Sequence, residues 1–183
     1  EPGGRLPVSW PRDVGQIPIF YAERPGGRPI VPGEHFTPQF LDIPNAPLFP
    51  FGPGLGYGRF EIGAPIVAAT SFRADDGLEV AVDVTNLGAR AGATTVFLFL
   101  RDLVASTSRP MLELRRFEAI DLAPGETKTL RFDLAAADFV VLGPDLLPRV
   151  EPGAFDLLVG FSADPVGLKR VRVECVDPAP RVA

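Results

Sequence analysis

The sequence of 183 residues offers few side chains that could perform chemistry. It contains one histidine, His35, and one cysteine, Cys175, among 23 acidic and 18 basic residues. A nucleophilic triad needs a base beside its nucleophile, and only His35 could supply an imidazole. Because no nucleophile motif accompanies it, the sequence favours a surface or packing histidine. A single histidine and a single cysteine are also too few for a Cys/His zinc site, so we expect no metal ligands.

Glycine-rich and acidic motifs add no catalytic set. The run Gly-Pro-Gly-Leu-Gly at 52–56 has neither the lysine of a P-loop nor a strand–helix context, and it indicates a tight turn. Paired carboxylates can hydrolyse glycosides, but chance pairs are inevitable among 23 acidic residues. Asp75-Asp76-Gly77 is typical of a hairpin turn, and Asp102 could cap the loop after a predicted strand. We therefore expect no catalytic residue and no cofactor, and leave substrate contacts unassigned.

The remaining candidates are structural or interfacial. Arg109-Pro110 and Arg115-Arg116 could pair with carboxylates of a neighbouring surface, or form a solvated face. Cys175 falls at a predicted core position, which indicates a buried and inert thiol. Trp10 could stack on a sugar ring, but the apolar Val8 beside it favours anchoring of an N-terminal segment.

Composition excludes two classes of function. The net charge is −5 and the basic residues are not clustered, so the usual electrostatic footprint of nucleic-acid binding is missing. No apolar run approaches the roughly 20 residues of a membrane span. The first residues show no signal peptide. We expect a soluble, mildly acidic chain.

Proline and glycine divide the chain in two. Residues 1–65 hold 13 Pro and 11 Gly, whereas the remaining residues hold 8 of each. The first part is nevertheless rich in aromatic residues, unlike a disordered linker. Two interpretations are open: an extended chain lying in a groove of something larger, or an N-terminal arm packed on the domain that follows.

The second part predicts strands separated by turns. Leu78 to Val84 alternates apolar and polar residues, as a half-buried strand does. Thr94 to Leu100 is apolar on both faces, which suits a central strand or one whose outer face meets another domain through Phe97 and Phe99. Seven short strands predict a two-sheet sandwich of the immunoglobulin or fibronectin type III class. The other strands are predicted at 65–72, 112–122 with a bulge near Arg115-Arg116, 130–134, 155–161 and 171–175, with one helical turn at 135–138.

The order of motifs resembles the C-terminal part of glycoside hydrolase family 3 enzymes. Gly4-Arg5-Leu6-Pro7-Val8-Ser9-Trp10-Pro11-Arg12 with Gly15-Gln16-Ile17-Pro18 is similar to the end of the family's second, α/β-sandwich domain. Residues 48–60, Leu-Phe-Pro-Phe-Gly-Pro-Gly-Leu-Gly-Tyr-Gly-Arg-Phe, resemble its connecting segment, with glycines flanking Tyr57 where the family often has Ser and Thr. The runs at 84–88, 122–127 and 150–155 resemble its fibronectin type III-like domain.

The resemblance implies a domain organisation. Residues 1–22 would end an α/β-sandwich domain, 23–63 would form an extended connecting arm, 64–178 would form a mostly β, fibronectin type III-like sandwich, and 179–183 would be a tail. The partner implied is the N-terminal catalytic part of the same enzyme, linked or as a separate chain. Because the strands of the first segment have no partners of their own, we expect residues 1–60 to be ordered only against that part.

The resemblance also implies a function. The chain would be the non-catalytic C-terminal region of a retaining β-glycosidase, similar to β-glucosidases or β-xylosidases, acting on terminal β-linked sugars in a β-glucoside or oligosaccharide. It would buttress the catalytic domains and border outer sugar subsites. A periplasmic or secreted location is common in the family. The alternative is an independent carbohydrate- or protein-binding module, although the predicted sandwich has no Trp or Tyr for sugar stacking. A self-sufficient enzyme lacks a catalytic set.

Overall fold

The computed structural model describes residues 2–28, 31, 34 and 36–177. His35 and the predicted tail at 179–183 lie outside the described residues. The strands are numbered in chain order, and two short 3₁₀ helices lie at Val14–Gln16 and Ala136–Phe139. The strands are β1 Phe60–Ile62, β2 Ile66–Val67, β3 Ser71–Arg73, β4 Leu78–Asn86, β5 Gly92–Asp102, β6 Glu113–Leu122, β7 Thr127–Leu134, β8 Val141–Leu142, β9 Pro148–Arg149, β10 Gly153–Gly160 and β11 Lys169–Asp177.

The smaller of the two main sheets is centred on β4. This strand pairs with β7 along one edge and with the short β1 and β2 along the other, always antiparallel. Its alternating sequence places Val80, Val82 and Val84 in the core and turns the residues between them outward. The predicted period of two is therefore confirmed.

The larger sheet has five strands in the order β3-β11-β10-β5-β6. All its pairs are antiparallel except β3 with β11, which run parallel. The register between β5 and β6 shifts, because Leu98 faces Arg116 whereas Phe99 faces Leu114. Arg115 is the extra residue, so the bulge predicted near Arg115-Arg116 is confirmed.

The core lies between the two sheets, as predicted for a sandwich of this class. The 3₁₀ helix at Ala136–Phe139, which matches the predicted helical turn, inserts the fully buried Phe139 between two rings of the larger sheet. The ring centres lie 4.6 Å from Phe72 and 5.3 Å from Phe155. Cys175 is buried in the same core, which confirms its predicted position.

Two local predictions are wrong. The single strand expected at 65–72 is divided into β2 and β3, which belong to opposite sheets because the chain crosses the sandwich between them. Asp75 does lie in a turn, which the Asp76 amide closes by donating to the Arg73 carbonyl at 2.9 Å. It joins β3 to β4 in the other sheet, so it is not a hairpin. Among the described residues, no helix is long and apolar enough to cross a membrane.

Candidate interaction face

The larger sheet presents its outer face, the one turned away from the core, to the N-terminal third of the chain. In β5, Val96, Leu98 and Leu100 enter the core, so Phe97 and Phe99 point to the outer face. Both rings are buried, and Phe99 has no exposed surface at all. Something must therefore cover this face.

This face is covered by residues 2–28 together with 36–59. From here on we call these residues the arm, which is a longer segment than the connecting arm expected at 23–63. Tyr21 packs on Phe51 with ring centres 4.5 Å apart, and it meets the edge of Phe99 at 5.8 Å. Phe51 also contacts Phe97 at 5.6 Å. The prediction that the outer face of β5 makes a contact is confirmed, but the partner is this chain's own arm. An arm packed on the following domain is thus the interpretation that the structure favours.

Two stretches of the arm run antiparallel to each other. The Trp10 amide donates to the Phe49 carbonyl at 2.7 Å, and the Gly52 amide donates to the Leu6 carbonyl at 2.9 Å. The Phe51 carbonyl in turn accepts from the Ala163 amide at 2.8 Å, which ties the pair to the loop after β10. The anchoring predicted for Trp10 is made by its backbone and not by its apolar side chain, because about half of the residue stays exposed.

Gly52 permits this close approach. Its φ of +93° belongs to the region that favours glycine, and an added Cβ would lie 3.0 Å from a ring carbon of Phe97 and 3.2 Å from Cα of Ser162. The run at 52–56 therefore begins with a tight bend against the sheet, as the sequence predicts.

We expect Gly52→Ala to loosen the arm by about 1–3 kcal/mol, because it combines backbone strain with overpacking against Phe97. Amide exchange at residues 6–10 should accelerate, while exchange in β4 should stay unchanged. Gly27→Ala is the matched control, since nothing lies within 4 Å of a Cβ added there. Equal exchange in both variants would contradict this role for Gly52.

A cleft of about 640 Å³ opens between the arm and the part of the outer face that it leaves uncovered. Its apolar lining includes Ile19 and Phe20 from the arm, Leu158 from β10 and Leu168 from the following loop. Arg101 lies on its rim. A concave apolar surface with a charged rim is a typical binding surface.

A row of charged side chains continues from the cleft across the sheet. It consists of Arg101, Asp156, Arg170 and Arg172. Asp156, which is only 2% exposed, accepts from the Arg172 guanidinium at 2.8 and 3.2 Å and from Arg170 at 3.4 Å. Its carboxylate holds the pKa of Arg172 above the ordinary value. Arg101 stands opposite Asp156 in the strand register and is exposed. No carboxylate of the described residues makes an ion pair with Arg101.

The other arginines singled out from the sequence pair within the chain. The buried Arg109 binds Asp102 at 3.1 Å and Glu113 at 2.8 Å, and Arg115 shares Glu113. Arg116 pairs with Asp138 at 2.6 Å. All three arginines therefore find their carboxylates within this chain and not on a neighbouring surface, and the solvated face is wrong for the buried Arg109, whereas the Arg116 side chain stays 37% exposed.

Asp102 closes this network. Its Oδ1 accepts from the Val104 amide at 3.2 Å, so it caps the next loop as predicted. Burial raises the pKa of Asp102, while the Arg109 charge acts in the opposite direction. Because Arg109 binds Oδ2, both oxygens of the Asp102 carboxylate have partners, and both bonds hold the β5–β6 loop.

The face that the arm turns away from the sandwich is apolar and exposed. So many large exposed apolar side chains in one segment exceed the scattered ones common on protein surfaces, which marks a contact surface. Its large side chains, each about half or more exposed, are Val8, Trp10, Val14, Ile17, Phe20, Phe36, Leu41, Phe49, Leu55 and Tyr57. The sequence predicts apolar residues without partners here, but only the structure shows that the arm has two apolar sides.

Among the residues that the structure describes, the geometry provides binding surfaces and no assembled proton-transfer set. Across the described ranges, no three His, Cys, Asp or Glu side chains converge to hold a metal ion. The buried carboxylates Asp102 and Asp156 are each occupied by arginines. We therefore interpret the outer face and the arm together as an interaction face.

Comparison with known proteins agrees with this architecture. A family described as "Fibronectin type III-like domain" matches residues 94–163. The chain is 38% identical over 165 residues to a periplasmic beta-glucosidase of Salmonella typhimurium, covering 89% of this chain and 22% of that protein. It is 43% identical over 171 residues to a beta-xylosidase of Formosa agariphila, covering 93% and 23% respectively.

Solved structures show the same relation. The chain superposes on a beta-glucosidase from Listeria innocua with a TM-score of 0.89 and 36% identity, covering 95% of this chain and 24% of that one. The match includes the arm as well as the sandwich, since the sandwich alone is much less than 95% of the chain. The chain thus spans about a quarter of the length of these relatives.

Proposed function

We propose, from the premise that this chain matches the C-terminal part of a glycoside hydrolase family 3 enzyme, that it buttresses the catalytic domains of a retaining β-glycosidase without contributing a catalytic residue. The parent enzyme would act on terminal β-linked sugars, because the relatives are named as beta-glucosidases and a beta-xylosidase. The partner is the preceding catalytic portion, linked to this chain or separate from it.

The observation that carries the proposal is the two-sided arm. One side packs Tyr21 and Phe51 on the sandwich, and the other presents Trp10, Ile17 and Phe20 outward. A segment with two apolar sides can join two bodies, because each side removes its own area from water. The arm is therefore suited to fasten the sandwich to the catalytic domains.

This proposal assigns a role to each part of the chain. Residues 1–22 end the α/β-sandwich domain, 23–63 connect the domains, and 64–178 form the sandwich, to which β1 adds a short edge strand. The sandwich supplies a rigid base, because its outer face is fully packed where the arm lies on it.

Amide exchange tests the proposal. We expect residues 6–20 to exchange at least about tenfold more slowly when the chain is bound to the separately expressed catalytic portion, since their exposed side becomes buried. Residues 80–84 in β4 are the internal control, because they are buried in both states. Hydrolysis of an aryl β-glucoside should require the catalytic portion and should be absent from this chain alone. Equal exchange of residues 6–20 in both states would contradict the proposal.

A further inference from the structure

We propose that the cleft beside Arg101 receives an acidic segment, flanked by apolar residues, from the preceding catalytic portion of the same enzyme. This inference rests on the proposed function and deepens it, because it names the surface and the chemistry of the contact. Arg101 forms the polar part of the site, and Ile19, Leu158 and Leu168 belong to its apolar lining.

The charges along the row that begins at Arg101 are unbalanced. Asp156 is the carboxylate nearest to Arg101 in the strand register, and Arg172 and Arg170 already occupy both its oxygens. The row therefore carries three guanidinium groups against one carboxylate, on a chain whose net charge is −5. An incoming carboxylate would complete the row by pairing with Arg101, and guanidinium groups favour such two-oxygen partners.

The carboxylates within the cleft do not take this place. Asp164 Oδ1 accepts from the Val166 amide at 3.1 Å and holds its own turn. Glu23 lines the cleft, but its carboxylate makes no ion pair with Arg101 or with any other described residue. Neither group makes an ion pair with Arg101, so its guanidinium is left for a carboxylate from outside this chain.

The position of the cleft indicates that its occupant is a protein segment of the same enzyme. Phe20 lines the cleft and is also one of the exposed apolar side chains of the arm, so the cleft adjoins the surface proposed to meet the catalytic domains. A volume of about 640 Å³ accommodates several side chains. The relatives are about four times longer than this chain, and their remaining length supplies a segment to fill it.

Zero-length cross-linking tests the contact directly. In the complete enzyme we would replace Arg101 with lysine and activate carboxylates with a carbodiimide, which couples an amine only to a carboxylate in contact with it. We expect a peptide containing residue 101 to be joined to an Asp or Glu of the catalytic portion. Arg170→Lys is the matched positive control, because it should couple to Asp156 within this chain.

The outcomes separate the two proposals. A link from residue 101 to the catalytic portion supports the inference. A link only to Glu23 or Asp164, or no link while the Arg170→Lys control couples, overturns it. If the exchange experiment shows no burial of residues 6–20, the proposed function itself fails; if burial is seen and residue 101 stays unlinked, only the present inference fails.

Affinity gives an independent measure. We expect Arg101→Glu to weaken binding between this chain and the separately expressed catalytic portion by on the order of 30-fold, because it places two carboxylates face to face. Arg90→Glu makes the same charge change in the exposed β4–β5 loop and should alter binding less than about threefold. Equal effects of the two variants would overturn a specific contact at Arg101.

Discussion

Phe99→Ala is expected to lower the free energy of unfolding of the chain by about 3–5 kcal/mol and to release the arm from the sandwich. The ring is fully buried and contacts Tyr21, Phe51 and Phe97, so its loss leaves a cavity between the arm and the sandwich. Chemical denaturation measures the stability, and amide exchange at residues 6–10 and 48–53 measures the release.

Phe117→Ala is the matched control for this prediction. Phe117 lies on the neighbouring strand, and its ring centre is 6.3 Å from that of Phe97, but two thirds of the surface of Phe117 is exposed. Its truncation should cost less than about 1 kcal/mol. If the Phe99 variant were no less stable than the Phe117 variant, the outer face would not be the base on which the arm rests.

The second large effect concerns the buried arginine. Arg109→Met should destabilise the chain by about 3–5 kcal/mol, because it leaves the Asp102 carboxylate, whose side chain is 3% exposed, without its countercharge. The Phe139 carbonyl loses its bond from Arg109 at 3.2 Å as well, and Phe139 fills the centre of the core. Denaturation at neutral pH measures the change.

A second substitution distinguishes loss of charge pairing from loss of packing. Adding Asp102→Asn to Arg109→Met removes the unpaired charge, so the double variant should regain part of the lost stability. Arg131→Met is the control, since its pair with Glu79 is exposed on the other sheet and should contribute less than about 1 kcal/mol. A double variant less stable than either single variant would show that the charges themselves are not the cause.

The strands with a clear alternation could be predicted from the sequence, and those without it could not. β4 and β7 each carry three or more alternating apolar residues, and even the bulge at Arg115 appears as a break in the pattern. β2 and β3 have two and three residues, which is too short for a period to show. Their assignment to opposite sheets depends on partners far along the chain, such as β11 for β3.

The interaction face shows the same division. Apolar residues on both sides of β5 predict that its outer face is covered, because Phe97 and Phe99 are costly to expose. What covers it could not be predicted, since the contact joins Tyr21 to Phe99 over almost eighty residues. Pairs such as Arg109 with Asp102 were missed for a different reason: a charge in a sequence does not reveal whether its partner lies within the chain or outside it.

The parallel pair between β3 and β11 has a consequence for biosynthesis. Ser71 faces Glu174, so a strand made early in the sandwich must wait for the last one to leave the ribosome before its hydrogen bonds form. Until then the edge of β10 is unpaired as well, because β11 covers it along seven register positions. Such long-range pairing slows folding and leaves strand edges open to other chains. Translation that stops short of Lys169–Asp177 should therefore yield an aggregation-prone product, even though every other strand of the sandwich is already present.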